Sequence, residues 1–98
     1  MRISVYEKAR KLSTFLSVPA SLLVSFGQCI RALRIAQGMT QVEFSERCGF
    51  YQTYLSRVEN GQANPTLNAM EVMANALGMS LFDVFEYTRL IQQSPHNV

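Results

Sequence analysis

The chain has no tryptophan, a single histidine and two cysteines, and only 16% of its 98 residues are charged. His96 lies far from Cys29 and Cys48, so these three cannot assemble a zinc set. The two cysteines, distant from each other, read as small buried hydrophobes and not as a disulfide framework. No nucleophile–base pair, carboxylate dyad or glycine-rich phosphate loop occurs, so no catalytic residue, metal site or cofactor is expected. No segment alternates apolar and polar residues with period two, which argues against a sheet. The scarcity of charge argues against a long disordered tail.

What is there suffices for one compact domain: 48% of the chain is hydrophobic. The formal net charge is +2, and it is unevenly placed. Arg2, Lys8, Arg10 and Lys11 outweigh Glu7 in the first 20 residues, whereas beyond them five arginines face six carboxylates. The body of the chain is therefore not a strong nonspecific polyanion binder, although a few well-placed donors still suffice for specific binding. Leu12 through Ile30 carries no charge. Its serines, Thr14, Pro19 and Gln28 dilute it too far for a membrane span, and a cytoplasmic location is expected.

Apolar residues at Phe26, Cys29, Ile30, Leu33 and Ala36 form one helical stripe over 22–37, closed by Gly38. Thr40 and Glu43 make a capping box for a short helix over 41–48, with Val42, Phe44, Ser45 and Cys48 as its less polar positions. Gly49 ends it, and a second short helix is predicted over 52–59, with Leu55 and Val58 inward. Tyr51 occupies that helix's cap position, where a small polar residue is usual. Two helices of this length around a tight turn make a helix-turn-helix unit. Thr66 caps a helix over 67–77 whose Leu67, Met70, Met73, Ala74 and Leu77 share a face. Ser80 and Asp83 form a second capping box, opening a helix to about residue 92.

The ordered set Ile30, Leu33, Arg34, Gly38-Met39-Thr40-Gln41, Phe44-Ser45, Gly49, Leu55-Ser56-Arg57-Val58-Glu59-Asn60-Gly61, Asn64-Pro65-Thr66-Leu67, Ala74, Ala76-Leu77-Gly78 and Leu81 resembles the Cro/C1-type (XRE) helix-turn-helix family of phage repressors and bacterial regulators. The resemblance implies an all-α, five-helix lambda-repressor-like DNA-binding domain. Residues 22–92 would form it, after an N-terminal extension over 1–21 and before a tail over 93–98. The stretch Thr53-Tyr54-Leu55-Ser56-Arg57-Val58-Glu59 is similar to the controller proteins of restriction-modification systems. Ser45 matches a family position usually held by alanine, where helices cross closely.

The resemblance also implies roles. The helix over 52–59 would lie in the major groove, with Gln52, Thr53, Ser56 and Arg57 meeting base edges. Glutamine suits adenine, arginine forks onto guanine, and a threonine methyl meets the thymine methyl. Gln41, Tyr54, Asn60, Gln62, Asn64 and Thr66 would contact phosphates, although two readings stay open for Tyr54: facing the DNA, or packed on its neighbours. Arg57 has the alternative of a phosphate contact. Neutral amides in the 60–64 loop, where some relatives carry Lys or Arg, imply a shallow salt dependence unless the basic N-terminal segment contributes. Arg34 and Glu59 match a structural ion pair.

The expected function is that of a transcription regulator, repressor or autoregulatory controller binding a palindromic operator in double-stranded DNA. One recognition helix reads too few base pairs alone, so a homodimer is expected. Met79, Phe82, Tyr87, Leu90 and Ile91 are the candidate interface, on the last helix and the loop before it. The competing class is a protein-interaction module, such as an antitoxin, that uses the fold to hold a protein partner. The first 20 residues, with Ile3, Val5, Leu12, Phe15, Leu16 and Val18, could supply a strand, a helix or a basic arm.

Overall fold

The computed structural model describes residues 21–93. The expectations for the N-terminal extension and for the tail beyond residue 93 lie outside the described residues. Five helices follow in order: α1 Leu22–Ala36, α2 Gln41–Cys48, α3 Gln52–Glu59, α4 Leu67–Ala76 and α5 Leu81–Gln93. No strand occurs among the described residues. None of the described helices is long and apolar enough to cross a membrane.

Local chemistry sets the boundaries. Ser21 Oγ accepts from Val24 N–H at 3.3 Å at the start of α1. The Thr40 hydroxyl accepts from Glu43 N–H at 3.1 Å while the Glu43 carboxylate accepts from Thr40 N–H at 2.9 Å. Thr66 Oγ1 accepts from Ala69 N–H at 3.0 Å, and Ser80 and Asp83 exchange bonds of 3.1 and 3.3 Å. Gly49 closes α2 at φ 75°, in the left-handed region open to glycine, so the chain turns at once into α3.

These turns stack the apolar faces. α1 packs against α3 and α5, α2 against α3 and α4, and α4 against α5. Phe44, Ile30, Leu55, Met73, Val58 and Val84 are fully buried between them. Phe26 and Phe85 rings meet at 6.2 Å across α1 and α5. The expected stripes are corrected at their ends. Ala36, Val42 and Leu67 sit on the terminal turns of their helices and are exposed, because the helices overhang the packed length.

One close helix approach falls where the sequence reading placed no weight. A Cβ built on Gly27 would stand 2.2 Å from the Val58 carbonyl oxygen and 3.0 Å from that of Glu59. Thus α1 crosses the C-terminal turn of α3 in backbone contact. A glycine in a helix interior costs stability and needs such a packing reason. The small Ser45 is buried as well, its hydroxyl donating to the Val42 carbonyl at 2.9 Å. Gly27→Ala is expected to destabilise the fold by about 3 kcal/mol or more, since rigid backbone on both sides must part; chemical denaturation of the variant checks it.

Candidate nucleic-acid interface

The C-terminal end of α3 is held by a buried ion pair. Arg34 Nε donates to Glu59 Oε2 at 2.7 Å and Nη2 donates to Oε1 at 2.9 Å. The third direction of the guanidinium is filled by Nη1 donating to the Met39 carbonyl at 2.8 Å. Both side chains are buried, so the fork-to-fork geometry offsets a desolvation cost that neither charge could bear alone.

The network extends to the other end of α3. Gln41 Nε2 donates to Glu59 Oε1 at 3.0 Å, and Gln52 Nε2 donates to Gln41 Oε1 across a longer 3.4 Å. Three helices are thereby tied through one carboxylate: α1 by Arg34, α2 by Gln41 and α3 by Glu59. The hydrophobic side of α3 completes the seating, with Leu55 and Val58 buried.

The opposite side of α3 is open. Gln52, Thr53 and Arg57 are exposed and Ser56 is half-buried. Their spacing places all four on one flank of the helix. Arg57 lies back across the following loop, its Nη2 donating to the Gln62 carbonyl at 3.1 Å. Asn60, Gln62, Asn64 and Thr66 are exposed along that loop. Thr66 spends its hydroxyl as the α4 cap, and Asn64 also borders an apolar groove of about 280 Å³ with Leu22, Leu23, Phe26, Pro65, Met70 and Phe85. Gln41 is half-buried, with both ends of its amide engaged inside the protein. Tyr54 is half-buried, its ring edge-on to Phe50 at 5.2 Å, so it packs on its neighbours.

The candidate dimer residues divide. Phe82, Tyr87 and Leu90 are exposed, whereas Met79 and Ile91 are half-buried against the domain's own core. Met79, Asp83, Glu86, Tyr87 and Leu90 line a shallow depression of about 470 Å³ on α5.

Two features escaped the sequence reading. Gly27 was visible only as a glycine inside an amphipathic helix. Tyr51 was read as a poor cap, but its 84% exposure at the head of α3 was not anticipated. Burial raises the thiol pKa of Cys29, and that of Cys48 to about 11, so neither is a thiolate at neutral pH. Among the described residues no group of three His, Cys, Asp or Glu could hold a metal ion.

Comparison with known proteins places this geometry among relatives. A family model described as Helix-turn-helix matches residues 30–84. The immunity repressor protein of Bacillus phage phi105 is 31% identical over 70 residues, covering 71% of this chain; the chain spans only 49% of that repressor. The restriction-modification controller protein C.AhdI from Aeromonas hydrophila is 36% identical, with a TM-score of 0.63 over 64% of this chain and 96% of its own. The controller protein C.Esp1396I, solved as a tetramer in complex with its natural 35 base-pair operator, is 25% identical, with a TM-score of 0.72 over 78% of this chain and 100% of its own.

Removing one partner of the buried pair strands the other charge. Glu59→Ala is expected to cost about 3–5 kcal/mol in urea denaturation, and the double variant Arg34→Met, Glu59→Leu is expected to lose less than either single change.

Proposed function

Because the chain belongs to the helix-turn-helix family, we propose that it is a sequence-specific DNA-binding transcription regulator, which lays α3 in the major groove and acts as a homodimer on two half-sites. The observation that carries this reading is the open flank of α3, with Gln52, Thr53, Ser56 and Arg57 on a helix whose two ends are tied by the Arg34–Glu59–Gln41–Gln52 network. A rigid helix of this size fits the major groove, where each base pair presents a distinct donor and acceptor pattern.

Within it, Gln52 reads adenine, Arg57 leaves the Gln62 carbonyl to fork onto guanine, and Thr53 and Ser56 fill the space between. Gln41 uses its second amide N–H toward a phosphate, so one residue both braces α3 and fixes the docking register. Tyr54 reaches a phosphate through its hydroxyl while its ring stays against Phe50. Asn60, Gln62, Asn64 and Thr66 follow the backbone as neutral donors. The C.Esp1396I complex supports operator DNA as the ligand of a close structural relative.

Dimerisation rests on Phe82, Tyr87 and Leu90 of α5, with Met79 and Ile91 at the border of the monomer core. Two copies of the open flank then meet half-sites about 34 Å apart. A cytoplasmic, non-enzymatic role accords with this reading.

Selecting duplexes from a random pool gives the operator. On it, Arg57→Ala is expected to lose about 1–3 kcal/mol and to relax preference at one position per half-site. Gln41→Ala is expected to weaken binding to all sequences alike. The reading is wrong if the parent enriches no sequence at low salt. Phe82→Glu is expected to shift the protein toward monomer in sedimentation and to weaken operator binding at the same protein concentration.

A further inference from the structure

Four of the five described helices begin with a hydroxyl that accepts a backbone N–H: Ser21, Thr40, Thr66 and Ser80. α3 is the exception. Its cap residue is Tyr51, whose side chain makes no capping bond. The helix forgoes a stabilising contact at the one element whose outer flank is open for reading.

The ring does not repay this loss within the protein. Tyr51 is 84% exposed. Its backbone already performs the structural task, the carbonyl accepting from Tyr54 N–H at 3.1 Å and Leu55 N–H at 3.2 Å. Neither bond depends on the side chain. Among the described large apolar residues only Phe82 is as exposed, and it lies on α5. Local rules broken in this way concentrate at functional positions.

Tyr51 immediately precedes Gln52, whose side chain reaches Gln41 at the N-terminal end of α2. A helix entering the groove by its N-terminal end brings its cap residue in with it. We propose that Tyr51 is a further DNA-contacting residue, its ring lying against an apolar edge of the duplex beside the base read by Gln52. The two apolar surfaces available there are the thymine 5-methyl group and the deoxyribose carbons. The assignment rests on the DNA-binding reading given above.

Because the ring is dispensable to the fold, replacing it separates stability from binding. Tyr51→Ser supplies the missing cap, and its melting temperature is expected to rise by roughly 4–8 °C. Its affinity for a duplex recovered by the parent protein from a random-sequence pool is expected to fall about three- to tenfold, from the lost apolar contact. Tyr51→Phe keeps the ring and is expected to stay within about twofold of the parent. Deoxyuridine in place of thymine in the same duplex distinguishes the surfaces: weaker binding by the parent but not by Tyr51→Ser identifies the methyl group, and no change in either identifies the sugar. Tyr51→Ser binding as tightly as the parent would overturn the proposal, as would Tyr51→Phe falling as far as Tyr51→Ser. A parent that recovers no duplex sinks the DNA-binding reading itself, and is thereby distinguished from a failure confined to Tyr51.

Discussion

The Arg34–Glu59 pair is the constraint on which the open flank of α3 depends. A carboxylate buried at the end of a two-turn helix is costly unless every lone pair is met. Here the guanidinium fork meets both oxygens and Gln41 adds a third donor. Because those donors come from α1 and α2, satisfying one charge also sets the rotation of α3 about its own axis. That rotation decides which residues face outward, so electrostatics in the core and the presentation of Gln52, Thr53, Ser56 and Arg57 are one problem with one solution.

Packing reinforces the same geometry. The backbone contact at Gly27 lets α1 approach the C-terminal turn of α3 closely enough for Arg34 to reach Glu59. A larger residue there would push apart the two elements that the ion pair joins. On the other side of α3, Leu55 and Val58 bury their full side chains. Hydrophobic burial holds the helix in place, and the directional polar bonds fix its orientation. Of the outer residues, Gln52 reaches Gln41 and Arg57 rests on the Gln62 carbonyl.

Much of this was legible in the residues. Capping boxes at Thr40/Glu43 and Ser80/Asp83, the glycine after α2 and the proline before α4 place all five helices within about a residue of their boundaries. Stripe ends were less legible. Periodicity says which face turns inward but not where a neighbour stops, so Ala36 and Leu67, read as members of apolar faces, lie outside. Long-range contacts were hidden altogether. Nothing near Gly27 in sequence announces Val58, and nothing near Gln41 announces that its amide is engaged by both Glu59 and Gln52. The division among Met79, Phe82, Tyr87, Leu90 and Ile91 likewise depends on how α5 is rotated against α1 and α4, which composition cannot reveal.

Methylation interference on the selected operator tests most directly whether the open flank of α3 meets bases in the major groove. Dimethyl sulfate modifies guanine at N7 in the major groove and adenine at N3 in the minor groove. A protein that inserts α3 as proposed is blocked by N7 methylation at guanines in two clusters about one helical turn apart. Interference confined to adenine N3, or absent altogether, would contradict it.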